Sequence, residues 1–289
     1  VNKDWASPAQ FNHMILAVAI SDATKSPTAI TTAVGRLLLF DPTDYLTPLG
    51  DLPFHEQGSY ALICAGSKGD IAQMPVISAD ANLITDTVHA TLSAAGKLTA
   101  ALAIKSQGQA ARSERSKYDV QPDQYKVEME RYLNYFAKGA TITKIEAHDA
   151  FEQNSFSSNL DFESLGYGQV MQGRMLVFNP SIVEPSARHF PVEKDRHEPI
   201  VLNSRLYRKQ VTIDLPEGFK VDEAPSPFEA QTPFAKFALI YRQAPGQLVM
   251  EEELRTEAVT LPATDYPQVK KFFDSVLGAD NQSAVLVKD

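Results

Sequence analysis

His13 opens an apolar run that ends at Ile20, and Asp41 closes a second run in Phe40-Asp41-Pro42-Thr43. An imidazole is the side chain best matched to moving a proton near neutrality. A carboxylate on its far ring nitrogen fixes the tautomer and stabilises the imidazolium. These are two of the three groups of a thiol acyl-transfer site. The third, a cysteine upstream of the histidine, is not among these residues, whose single cysteine is Cys64. Without a nucleophile, covalent catalysis is lost outright, so the chain by itself is expected to be inactive.

The elements that must position the pair are legible around them. His13 to Ile20 and Val34 to Phe40 are of strand length, and polar Ser-Asp-Ala-Thr-Lys-Ser-Pro-Thr lies between them. Adjacent strands run about 4.8 Å apart. An antiparallel pair would therefore bring the start of one and the end of the other to the same edge. The spacing also fits a bland reading. Aspartate before proline favours a turn, and a lone histidine opening a strand is commonly a hydrogen-bonded structural residue.

Further along, Ser59 to Ala65 reads as a strand followed by turn-rich Gly66 to Asp70. Ile84, Asp86, Val88, Ala90 and Leu92 alternate with polar residues. Leu98, Ala100, Leu102 and Ile104 resume the alternation after Ala95-Gly96, which makes a hairpin with one buried face. Tyr125, Met129, Tyr132, Leu133 and Phe136 share one helical face after Pro122, and Gly139 follows as a stop. Strand patterns return at 141–146, 159–163 and 168–178, and the stretch 179–199 reads as a linker or long surface loop. Tyr207 to Leu215 and a hairpin around Pro245-Gly246 follow. A helix capped by Thr264 presents Tyr266, Val269, Phe272, Phe273 and Val276, with Gly278 as its stop, and a strand closes the chain at 284–287. Strand runs with an isolated helix in each unit argue for a mainly β (α+β) fold of β-sandwich-like units rather than a βαβ sheet. The expected division is 1–71, 72–199 and 200–289, with one helix in each of the last two.

Other chemistry-bearing residues carry less. Cys64 sits in an apolar strand with no cation beside it, the setting of a buried, inert thiol. His189 and His197 lie among Glu193, Asp195 and Arg196 without a zinc spacing, and no metal site is expected. His55-Glu56 reads as a surface turn, and His89 and His148 have no visible partner. Glu251-Glu252-Glu253 reads as a solvated strand end.

The chain of 289 residues is 44% apolar, ample for a sizeable core, and its net charge of −9 supports solubility without naming a partner. Its 27 basic residues are scattered, which argues against a nucleic-acid footprint. One cysteine permits no intrachain disulfide, and no apolar stretch reaches the roughly 18 residues of a membrane helix. The first residues do not form a signal peptide, and their lack of an initiator methionine suggests a processed, truncated or engineered start.

Ser7-Pro8-Ala9-Gln10-Phe11-Asn12-His13-Met14-Ile15, Leu39-Phe40-Asp41-Pro42-Thr43 and Thr47-Pro48-Leu49-Gly50-Asp51-Leu52-Pro53 resemble the downstream part of a bacterial transglutaminase-like domain of the papain-like cysteine protease superfamily. Gln57-Gly58, Met171-Gln172-Gly173-Arg174 and Leu215-Pro216-Glu217-Gly218-Phe219 through Phe272-Phe273 match the β-rich domains of the same group more loosely. The resemblance implies that His13 is the base, that Asp41 orients it, and that the nucleophilic cysteine precedes residue 1. It implies a polypeptide amide substrate, no cofactor, an exported or periplasmic location, and the missing N-terminal half of the same protein as partner. Whether the parent hydrolyses or crosslinks stays open. The competing reading is a noncatalytic β-sandwich module that binds a polypeptide or glycan at the cell envelope through sheet edges and end loops.

Overall fold

The computed structural model describes residues 7–120, 122–188, 190, 193 and 195–288. The N-terminal part holds β1 (Leu16–Ala19), β2 (Ala29–Thr32) and β3 (Gly35–Phe40), then β4 (Tyr60–Ile63) and β5 (Asp70–Gln73). β3 is the centre of a three-stranded antiparallel sheet flanked by β1 and β2, and β4 and β5 form a separate hairpin. Its apolar cluster is Leu39, Leu52 and Met74, and Leu37, Leu38, Leu46 and Ile63 are buried as well.

The rest is one larger body. β6 (Leu83–Leu92) and β7 (Leu98–Gln107) form the expected hairpin, followed by α1 (Gln109–Val120) and α2 (Pro122–Leu133). β8 (Thr141–Ala150) and β9 (Ser155–Ser164) form a second hairpin, and the short β10 (Gln169–Met171) and β11 (Met175–Phe178) follow. Beyond the irregular stretch come β12 (Ile200–Leu202), β13 (Arg205–Asp214), β14 (Phe219–Glu223), β15 (Phe228–Gln231), β16 (Ala235–Ala244), β17 (Gln247–Thr256) and β18 (Val259–Leu261). α3 (Tyr266–Asp280) and β19 (Ala284–Lys288) close the fold, which is mainly β.

Strands from both sides of residue 199 share two sheets. The eight-stranded one runs β15-β16-β17-β13-β6-β7-β9-β8, and its central pair, β13 and β6, is parallel. The four-stranded one runs β10-β11-β19-β14. A single apolar core reaches across, from Val88, Leu102 and Phe162 to Val211, Phe237 and Leu254. Each such side chain contributes about 1.5–3 kcal/mol on leaving water. α3 buries the apolar face its spacing indicated; the Phe273 ring stacks on Phe190 with centroids 3.5 Å apart. The helix passes through Gly278 and is followed by Asn281, and Thr264 lies in a preceding 3-10 turn rather than at the cap.

Four further differences from the sequence reading have physical causes. α1 carries no apolar stripe: it turns Gln109, Ala110, Ala111 and Arg115 inward and is held by polar contacts, so periodicity does not reveal it. The stretch after Phe178 is no free linker, since Ile182, Val183 and Ala187 are fully buried. Glu251-Glu252-Glu253 is the middle of β17, not a solvated end. Glu252 is buried because Lys209 lies opposite it with Nζ 2.7 Å from Oε2. Finally, the β6–β7 turn is pinned to a distant loop: Gly168 N–H donates to Gly96 O at 2.9 Å. A Cβ on Gly96, whose φ is +82°, would stand 2.0 Å from Gly168 O, so no other residue fits there.

Candidate active site

β1 and β3 pair antiparallel with Leu16 opposite Phe40. Continuing that register outward places the segment before Leu16 beside the residues after Phe40. His13 lies in this extended segment, three residues before the strand begins rather than at its first position. Its Nε2 stands 3.0 Å from Asp41 Oδ2. The other carboxylate oxygen accepts the Thr43 N–H at 2.9 Å and the Thr43 hydroxyl at 2.7 Å, the local turn that aspartate before Pro42 favours. Asp41 is thus oriented by its own exit loop, which leaves Oδ2 for the imidazole. With Nε2–H donating to Asp41, Nδ1 carries the lone pair that a proton donor would meet.

The loop that carries the site is clamped to α1. Arg112 Nε lies 3.0 Å from Asp44 Oδ2, Arg115 Nη1 donates to Leu46 O at 2.7 Å, and Gln109 Nε2 donates to Asp51 Oδ2 at 3.0 Å. The helix that periodicity does not reveal is therefore the support of the loop that follows Asp41.

A third group joins the pair. Glu56 was expected on the surface, yet it is 4% exposed, with Oε1 3.5 Å from His13 Nε2. Neither of its carboxyl oxygens accepts a hydrogen bond from the described residues. Burial, then the hydrogen bond and charge of Asp41, push its carboxyl up to about 7, and His13 opposes this only in part. Asp41 behaves oppositely. Burial acts to raise it, but the hydroxyl and N–H of Thr43, with His13, outweigh that and hold it at about 2. Two carboxyls this close do not both ionise readily, and of the two it is Glu56 that holds a proton below about pH 7. The donor atoms of His13, Asp41 and Glu56 lie within 4.8 Å of one another, a nitrogen-and-two-oxygen set of the kind that holds a divalent cation. No spacing rule marks Glu56; its place follows from the fold of 41–56.

The site opens on a pocket of about 840 Å³ lined by His13, Asn12, Met14, Glu56, His55 and Cys64, among others. Cys64 is exposed rather than buried, because β4 and β5 form a two-stranded hairpin with little to cover it. Its Sγ has Leu62 O at 3.8 Å, and no contact with His13 is present among the described residues. His89, His148 and His197 are exposed on other surfaces, and His189 lies outside the described residues. Beside His13, the edge strand β1 leaves Met14, Leu16 and Val18 exposed at 85%, 53% and 45%.

The fold is mainly β, and its site is an imidazole–carboxylate pair with a second buried carboxyl beside it. A family described only as a domain of unknown function with a solved structure, DUF3858, matches residues 174–286, which is less than half of the chain and excludes the site. A crystal structure described as a "putative protease" from Parabacteroides distasonis ATCC 8503 aligns with a TM-score of 0.34 at 10% identity, covering 40% of this chain and 24% of that one. The chain thus spans about a quarter of that protein's length, and a likeness of this degree shows no common fold. No curated protein matches the chain.

Proposed function

We infer that His13 and Asp41 are the base and the orienting acid of a thiol acyl-transfer site of the transglutaminase-like type, acting on polypeptide amides. The nucleophilic cysteine is supplied by chain preceding these residues. The observation that carries the reading is the 3.0 Å contact with a 3%-exposed Asp41 made by Nε2 of His13, which lines an open pocket. It leaves Nδ1 as the nitrogen that would take a thiol proton.

Two features support a partner segment of the same protein. The apolar cluster beside the pair, Leu39, Leu52 and Met74, takes nothing from β1, whose four residues are all exposed. The outer edge of β1, with Met14, Leu16 and Val18 exposed beside His13, is a surface for further chain to cover. Below about pH 7, a protonated Glu56 would hold Asp41 in place by donating to it.

The test is thiol labelling of the longer protein, extended upstream to include its cysteine. A rapidly alkylated cysteine in the wild type, slowed on the order of a hundredfold in His13→Ala, supports the reading. Equal labelling in both, or no upstream cysteine, removes it.

A further inference from the structure

A second cavity, of about 480 Å³, lies between the eight-stranded sheet and the helices α1 and α2. It shares no lining residue with the His13 pocket. Its floor is set by strand register. Asp86 on β6 aligns with Lys209 on the parallel β13 and with Ile104 on β7, while Ile84 aligns with Tyr207 and Ser106. These positions alternate with outward-facing ones, so they share the face that farther along the strands becomes the apolar core.

Most ionic groups around the cavity are neutralised locally. Lys209 pairs with Glu252, Lys117 with Glu114, Arg131 with Glu128, and Arg188 with Glu184. Two are not. Asp86, 7% exposed, accepts the Tyr132 hydroxyl at 2.5 Å on Oδ2, but its Oδ1 is buried without a partner, and no cation bonds it among the described residues. Arg205 donates from Nη1 to the Tyr207 hydroxyl at 3.1 Å and lies over the Phe54 ring, yet its Nε is buried without a partner and no carboxylate pairs with it among the described residues. Ser106 Oγ, 1% exposed and lining the same cavity, is also unpartnered. Unmatched buried ionic groups are costly, and a ligand that matches both recovers that cost.

The two groups stand apart in a defined way. Arg205 precedes Lys209 by four residues on β13, and Lys209 aligns with Asp86. At about 3.3 Å per residue, Arg205 and Asp86 are separated by roughly 13 Å along the sheet. Allowing for the reach of the arginine, that gap suits an extended tripeptide of about 10 Å. Around Asp86, the acids Glu252 and Glu114 outnumber Lys209, which favours a cationic group there. Ile84, Ile104, Met129 and Tyr132 supply apolar wall between the ends.

We propose that this cavity binds a short extended peptide, its α-ammonium held by Asp86 and Ser106 and its α-carboxylate by Arg205. The assignment does not depend on the His13–Asp41 reading. The ends of the ligand, not its side chains, supply the recognition, and each end meets one unmatched group.

The experiment is calorimetric titration of this chain with trialanine, N-acetyl-trialanine and trialanine amide. Trialanine binds with one-to-one stoichiometry, and either blocked peptide binds at least about tenfold more weakly. Arg205→Gln weakens trialanine by about tenfold but leaves the affinity for the amide unchanged; Asp86→Asn does the same with respect to the acetylated peptide. Ser106→Ala gives a readout from the same end should Asp86→Asn fail to fold, and weakens trialanine about threefold or more. No binding of trialanine at millimolar concentration, equal binding of all three peptides, or insensitivity to Arg205→Gln overturns the proposal.

Discussion

Glu56 Oε1 stands 3.5 Å from His13 Nε2, the same ring nitrogen that Asp41 engages at 3.0 Å. One imidazole thus faces two buried carboxyls, and their opposite displacements, Glu56 up to about 7 and Asp41 down to about 2, divide the labour between a neutral donor and a fixed anion.

That division makes stability depend on pH. A carboxyl raised in the folded state is neutral in both states below pH 4.5. Between 4.5 and about 7 the unfolded chain ionises first, so Glu56 costs stability as pH rises through that window. Glu56→Gln keeps a donor toward Asp41 without this cost. Its melting temperature should match the wild type near pH 4.5 and exceed it at pH 8, by on the order of 1–2 kcal/mol of stability. A difference independent of pH would contradict the assignment.

Asp41 runs the other way. Its lowered carboxyl contributes stability above pH 3.8 that is lost as pH falls toward 2. Asp41→Asn should lose about 1–3 kcal/mol at neutral pH, since it weakens the bonds from Thr43 and His13. Nitrogen NMR of the neutral ring should show Nε2–H as the major tautomer in the wild type and a mixture in Asp41→Asn.

The Lys209–Glu252 pair is charged inside the fold. Burial opposes both charges, but each partner restores the other's. Burial and the Glu252 charge push the neighbouring Asp280 carboxyl well up. Lys209→Met leaves the buried Glu252 anion unpaired and should cost about 3–5 kcal/mol in urea unfolding. Adding Glu252→Leu should recover most of the loss, which a simple packing defect would not allow.

Gly96 and Gly246 both have positive φ, +82° and +71°, yet only Gly96 is crowded, by the Gly168 carbonyl. Gly246→Ala should cost about 1 kcal/mol for its backbone conformation alone. Gly96→Ala should cost more than twice that in thermal unfolding, because the hairpin must also part from Gly168.

What was legible in the sequence follows from which forces leave a pattern. The β6–β7 hairpin and the inward face of α3 are written in apolar spacing, and Val88, Leu102, Phe272 and Val276 are buried as that spacing indicates. The approach of His13 to Asp41 was legible because two short strands and one loop fix it. Glu56 was not, since its burial depends on how the loop from Asp41 folds against α1, and α1 is itself held by Arg112, Arg115 and Gln109 rather than by an apolar stripe. Asp86 did leave a trace, an acid on an otherwise apolar strand face, but its counterpart Arg205 comes near only through a strand pairing between distant parts of the chain.

That pairing has a mechanical corollary. β6 and β13 are joined along nine aligned residue pairs, from Leu83–Leu206 to Thr91–Asp214. Hydrolysis of a peptide bond in the 179–199 stretch would therefore not release two pieces. The fragments should co-elute in native chromatography and separate only in denaturant, each carrying strands that the other needs to stay folded.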